Sequence, residues 1–129
     1  LQNMHDGMIT GACTCFLDIE KRFNTINHDL LLQKLNWYGI CNNELNWFKS
    51  YLTNRSQCTF YDGKLSDILD INIGIPQGSI LSPALFLVFI NDLPQSIGNA
   101  SCNMFADDVL LWVFGETMVD VNSKMEECF

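Results

Sequence analysis

Cys102-Asn-Met-Phe-Ala-Asp-Asp-Val-Leu-Leu-Trp-Val-Phe114 consists of two apolar runs, Cys102–Ala106 and Val109–Phe114, split only by Asp107-Asp108. Both runs suit strands and Asp suits turns, so the stretch predicts a β-hairpin with two carboxylates at its tip. Carboxylates flanked by Phe105 and Val109 are partly desolvated, and adjacent anions repel in a low dielectric. On its own the pair fits an ordinary acidic turn as well as a chemical site. A second β-capable run, Gly11-Ala-Cys-Thr-Cys-Phe-Leu17, reads as a buried strand ending at Asp18. Asp18 alone fits a helix cap equally well. If the two β elements lie side by side, three carboxylates converge at one end of a sheet. Hard oxygen ligands of this kind bind Mg²⁺ together with substrate phosphates. Two such ions, roughly 3.5–4 Å apart, can activate an attacking hydroxyl and stabilise a leaving oxygen.

Between these strands the pattern predicts helices and a hairpin. Leu31, Leu35 and Tyr38 recur at i, i+4 and i+7, giving a helix from about Asp29 to Tyr38 with Gly39 as its stop. A second helix, about Asn43 to Leu52, places Leu45, Phe48 and Leu52 on one face, and Asn54-Arg55-Ser56 ends it. Strands at about Gln57–Tyr61 and Ile68–Ile73 follow, with a turn at Asp62-Gly63. Ser82-Pro83 fits an N-cap with Pro at the first helical position. Ala84-Leu-Phe-Leu-Val-Phe-Ile90 then reads as a helix apolar all round, buried at the domain centre and ending before Pro94. From about Glu116 an amphipathic helix sets Met118, Val121 and Met125 on one side. The expectation is one α+β domain over residues 1–129.

Composition bounds the function. With 129 residues, 48% hydrophobic and 17% charged, the chain is globular, and disorder, collagen and coiled coil are excluded. Acids outnumber bases 15 to 7, for a net charge of −8, which by itself argues against a nucleic-acid binder. The imbalance is local: residues 65–129 hold nine acids and one base, Lys124, whereas residues 1–64 are neutral. Self-repulsion of that kind is tolerated more easily where something cationic binds. The six cysteines include no C-x-x-C pair, and with only His5 and His28 to help, zinc is not expected. They read as reduced core thiols of an intracellular protein, nuclear or cytoplasmic and not secreted. Neither histidine lies in an apolar or motif-like setting, which sets aside Cys/His nucleophilic catalysis. The longest apolar run, Ala84 to Ile90, is far short of a membrane span, so no membrane partner is expected. A first residue of Leu and an end inside an amphipathic stretch read as a piece of something longer.

Gly74-Ile-Pro-Gln-Gly-Ser-Ile-Leu-Ser-Pro83 is not a Walker loop, because no Gly-Lys-Ser/Thr follows. It fits a helix-entry loop, or a close-approach surface for a nucleotide and a template base, with Gly78 admitting the backbone and Gln77 offering donors and an acceptor. Together with Phe16-Leu-Asp-Ile-Glu-Lys-Arg-Phe-Asn24 and Phe105-Ala-Asp-Asp108, in this order and spacing, it resembles the palm motifs of reverse transcriptases, specifically those of non-LTR (LINE-type) retrotransposons. Asn46-Trp-Phe-Lys-Ser-Tyr-Leu52 and Phe89-Ile-Asn-Asp-Leu-Pro94 are similar to that group as well, so the resemblance covers nearly the whole chain.

The resemblance implies a polymerase palm, an antiparallel sheet backed by helices, with fingers and thumb largely missing and supplied by other segments of the same polyprotein. It implies two Mg²⁺ ions, with Mn²⁺ as a substitute, held by Asp18, Asp107 and Asp108 and by the backbone carbonyl of Ile19. Phe23 falls at the steric-gate position that excludes a ribose 2′-hydroxyl, and Gln77 and Gly78 match contacts to the incoming nucleotide and template. The implied partners are an RNA template, a DNA primer and deoxynucleoside triphosphates. Two departures stand out: Arg22 for a small residue and Asn24 for an acid, in a motif that usually reads Lys-Ala-Phe-Asp. They support an alternative, a catalytically inactive retrotransposon-derived remnant or binding module. A different two-metal enzyme such as a nuclease is disfavoured, because a hydrolase needs no template-contacting loop.

Overall fold

The structure, a computed structural model, describes residues 11–19, 21–98 and 100–128. Its elements run β1 (Gly11–Asp18), α1 (His28–Trp37), α2 (Asn42–Leu52), β2 (Arg55–Gln57), β3 (Phe60–Tyr61), β4 (Lys64–Leu65), β5 (Leu69–Ile71), α3 (Ser82–Ile90), α4 (Leu93–Ser96), β6 (Ser101–Phe105), β7 (Asp108–Gly115) and α5 (Met118–Glu126). This is a mixed helix and strand chain, and the strand pairs among the described residues are antiparallel. It divides into two compact units, one from residues 1–20 and 91–129, the other from residues 21–90.

In the first unit, β7 is the central strand of a three-stranded sheet ordered β1-β7-β6. Alternation decides what it buries: Val109, Leu111 and Val113 face inward and are almost fully covered. Helix α5 lies across β7 and β1 with Val121 buried beneath it. Its start is fixed by Thr117, whose side chain accepts from the Asp120 amide at 3.1 Å. Gly115 is what lets it dock, because a Cβ there would lie 2.7 Å from Val121 Cγ2. At the other end of the sheet, Ile97, Val109 and Leu111 form a cluster with Leu17, Ile19, Leu93 and Met104 packed around it.

The strand expected to be buried at residues 11–17 is buried on one face only. Cys13, Cys15 and Leu17 turn inward, whereas Ala12, Thr14 and Phe16 are exposed, Phe16 by 81%. The run is apolar on both faces, so its composition did not reveal that helix α5 covers just one side of the sheet. Similarly, the cysteines are free thiols but not core ones: four are half-buried, while Cys41 and Cys58 are exposed. Cys13, Cys15 and Cys102 sit on the edge strands β1 and β6, where cover is incomplete. The partial burial of Cys102 still pushes its thiol pKa up.

In the second unit, α1 packs against both α2 and α3. Asn27 caps α1, its Oδ1 accepting from the Leu30 amide at 2.9 Å, and Gly39, at φ +91°, ends it. Leu31, Leu35 and Leu52 fill the core, and Lys34 donates to the Phe89 carbonyl of α3 while its Nζ lies 4.8 Å from the Phe89 ring centre. The predicted hairpin forms with a broken ladder. Asp62 and Gly63, both at positive φ, turn β3 into β4, and β2 pairs separately with β5. Helix α3 starts at Ser82-Pro83 but is covered on one side only. Leu85, Phe86 and Ile90 are buried while Ala84 and Leu87 are exposed, contrary to the expectation of burial all round. Among the described residues, no helix is long and apolar enough to cross a membrane.

Candidate functional site

Asp18 and Asp108 are direct cross-strand partners at one end of the β1–β7 ladder. Opposed residues of an antiparallel pair project to the same face, with Cβ atoms about 4.5–5.5 Å apart. Their neighbours Leu17 and Val109, also opposed, project to the other face and into the core. Packing of Leu17 and Val109 therefore forces both carboxylates outward. Among the described residues, neither carboxylate has a hydrogen bond or ion pair; the one cation of this half, Lys124, is held by Asp120 at 2.9 Å.

The hairpin tip differs from its expectation by one residue. Phe105 pairs with Asp108, so the loop is Ala106-Asp107 and Asp108 belongs to the strand. Ala106 takes φ +53°, the sign that tight hairpin turns require at their first central position. Asp107 is half-buried beside it, and Ile19 follows Asp18 against the sheet's core cluster. The carboxylates expected to converge as three are arranged as an opposed pair with the third on the adjoining turn. Among the described residues, no three His, Cys, Asp or Glu side chains close into a metal cage. The donor set still fits a hard divalent ion, which takes one or two carboxylates and leaves its other positions to water and phosphate.

The other motif residues lie in residues 21–90, where the segments around Phe23 and Gly74 are joined backbone to backbone. The Gly74 amide donates to the Ile26 carbonyl at 2.8 Å, and the Ile75 amide to the Phe23 carbonyl at 2.7 Å. Gly74, at φ +83°, has no room for a side chain, since a Cβ would sit 2.8 Å from the Phe23 carbonyl oxygen. His28, buried at the start of α1, donates from Nε2 to the Gly74 carbonyl at 2.6 Å. This corrects, for His28, the expectation that neither histidine lies in an apolar or motif-like setting; His5 lies outside the described residues. Phe23 is half-buried, packed edge-on against Phe86 at 5.7 Å and 76°, with the Arg22 guanidinium 5.2 Å from its ring centre.

Gln77 is exposed, and its Nε2 donates to Asn24 Oδ1 at 2.9 Å, while Gly78, at φ +80°, has nothing near the place a Cβ would occupy. Two residues that reading the sequence missed thus carry the loop: Asn24, noted only as a departure, and His28. Their partners lie 53 and 46 positions away, and no local pattern signals such pairs.

The family of reverse transcriptases (RNA-dependent DNA polymerases) matches residues 3–129. The chain is 38% identical over 129 aligned residues to an RNA-directed DNA polymerase from mobile element jockey of Drosophila melanogaster, covering 90% of this chain and 13% of that protein. It is 29% identical over 124 residues to the jockey polymerase of Drosophila funebris, again 90% of this chain and 13% of the relative. Against a retrovirus-related Pol polyprotein from type-1 retrotransposable element R2 of Popillia japonica it is 29% identical over 107 residues, 74% of this chain and 18% of the relative. The chain therefore spans less than a fifth of the length of these relatives.

Proposed function

The chain belongs to the reverse transcriptase family, and on that premise we propose that it is the palm segment of an RNA-directed DNA polymerase of a non-LTR retrotransposon. It would extend a DNA primer on an RNA template with deoxynucleoside triphosphates. The observation that carries this reading is the register pairing of Asp18 with Asp108, two carboxylates at a sheet end with no ion pair among the described residues, beside Asp107 on the adjoining turn.

In this reading Asp18, Asp107, Asp108 and the Ile19 carbonyl hold two Mg²⁺ ions, for which Mn²⁺ can substitute. When bound, such ions lower the pKa of an attacking hydroxyl and neutralise charge on the transferring phosphate. The protein's own part is positioning. Asp18 is aimed by a core-packed strand and cannot turn inward without displacing Leu17. Phe23, steadied by Phe86, presents a rigid aromatic wall that excludes a ribose 2′-hydroxyl. Asn24 takes up one donor of the Gln77 amide and so fixes which way it points, leaving its oxygen to accept from a nucleotide or template base. Gly78 presents bare backbone for close approach.

The test is Mg²⁺-dependent primer extension on an RNA template by a protein carrying this segment with its flanking polymerase segments. Extension is expected from the wild type, and Asp107→Asn is expected to abolish it. Undiminished extension by Asp107→Asn contradicts the assignment. The second reading, an inactive remnant or binding module, is favoured by Arg22 lying against the proposed gate residue Phe23. It predicts no extension by the wild type at all.

A further inference from the structure

We infer that Arg55 anchors a backbone phosphate of a nucleic-acid strand in the cavity beside the Gly74–Gln77 loop. The cavity, about 710 Å³, is lined among the described residues by part of 24–77, with Arg55, Asn24, Asn72, Asp70 and Gln77 among its walls. Arg55 opens β2 opposite Ile71 of β5, so its backbone is fixed by a strand pair. Its Nη1 is buried without a hydrogen-bond partner among the described residues. A guanidinium carries five N–H donors, and burying one unpaired is costly, so native structures seldom leave it so. A cation stripped of part of its water attracts an anion more strongly than one fully solvated, and a planar fork matches two phosphate oxygens at once.

Charge selects the kind of phosphate. Among the described residues, the cavity wall holds one cation, Arg55, and one carboxylate, Asp70, alongside neutral amides. That balance suits the single charge of a phosphodiester and not the several charges of a nucleoside triphosphate. The wider setting agrees, since residues 21–90 carry six of the chain's seven Lys and Arg residues against five acids. The chain's net acidity is thus carried by residues outside 21–90. The strand's identity as an RNA template rests on the polymerase reading; the phosphate anchor itself rests on the cavity.

The experiment is fluorescence anisotropy of a labelled single-stranded RNA titrated with the chain across a salt series, repeated with deoxynucleoside triphosphate and inorganic phosphate as competitors. Arg55→Gln is expected to weaken RNA binding about tenfold and to flatten the salt dependence by roughly 0.7 in log–log slope, the loss of one phosphate contact. Arg55→Lys keeps the slope and recovers part of the affinity. Asp70→Asn, at an exposed position, tightens binding and supplies a variant whose folding is not at issue. Circular dichroism of each variant checks the fold. Binding by Arg55→Gln within twofold of wild type, or absence of RNA binding by the wild type at low salt, overturns the inference. So does an Arg55→Gln chain that keeps its RNA affinity but no longer responds to the triphosphate, because the anchor then serves a nucleotide. Failure of the polymerase reading shows separately, in primer extension that is indifferent to Asp107→Asn.

Discussion

Asp18 and Asp108 face each other across neighbouring strands, and among the described residues neither is paired with a cation. Like charges in direct cross-strand opposition destabilise a sheet, and this arrangement persists because Leu17 and Val109 fix the register from the opposite face. Neutralising either acid is therefore expected to stabilise the fold. Asp18→Asn or Asp108→Asn should raise the melting temperature by about 1–4 °C at low salt without divalent ions, with the gain shrinking at high salt. Thermal denaturation by circular dichroism reads it, and a lowered midpoint contradicts it.

The two motif glycines should respond differently to the same change. Gly74 and Gly78 both sit at positive φ, but only Gly74 has backbone within 3 Å of the place a Cβ would occupy. Gly78→Ala should cost about 1 kcal/mol, the conformational term alone. Gly74→Ala should cost clearly more, about 3 kcal/mol, because the Phe23–Asn24 backbone must move as well. Urea denaturation of the two variants gives the comparison, and equal costs would show that the 23–26 and 74–75 segments are not joined.

Asp120 gives the chain a pH dependence of known sign. A hydrogen bond from Lys124 is the main cause holding its carboxyl below the ordinary value of 3.8, with the Glu116 amide helping. A carboxylate whose pKa is lowered by folding stabilises the fold above its unfolded pKa and loses that contribution as the pH falls through the folded value. Asp120→Asn should thus be less stable than wild type at pH 7, with the difference shrinking as the pH falls below 3.8 and gone once it is below the lowered folded value. The pair is exposed and should also weaken with salt. Melting curves at several pH values test this, and a difference that grows on acidification contradicts it.

Leu111 is fully buried in the central strand of the sheet that carries the carboxylates. Leu111→Ala should cost about 2–5 kcal/mol in chemical denaturation, through lost burial and the cavity left behind. A cost under about 1 kcal/mol would mean the sheet's core is not closed at that point.

Much of this was legible in the chain. The strands flanking Asp107-Asp108, the helix ended by Gly39 and the Ser82-Pro83 entry to α3 all follow local rules of periodicity, capping and turn chemistry. Three kinds of feature were not. One-sided burial of β1 and α3 was hidden because Phe16 and Leu87 are as apolar as the neighbours that do pack, so composition could not tell the covered side from the bare one. The turn shifted by one residue because Ala106, which lacks an obvious turn signature, accepts a positive φ and lets Asp108 pair with both Phe105 and Asp18. His28, Asn24 and Arg55 were missed because their importance depends on residues far along the chain or on the walls of an open cavity. The −8 charge, which argued against nucleic acid when averaged, resolves into an acidic part bearing the opposed carboxylates and a mildly basic part bearing the cavity.

The most direct measurement is primer extension on an RNA template by Asp18→Asn in the flanked protein, run beside RNA binding and thermal melting of the same variant. Extension is expected to fall about 100-fold or more, while RNA affinity is kept and the melting temperature does not drop. Extension within twofold of wild type by that folded, RNA-binding variant would contradict the assignment of the Asp18–Asp108 pair to the polymerase centre.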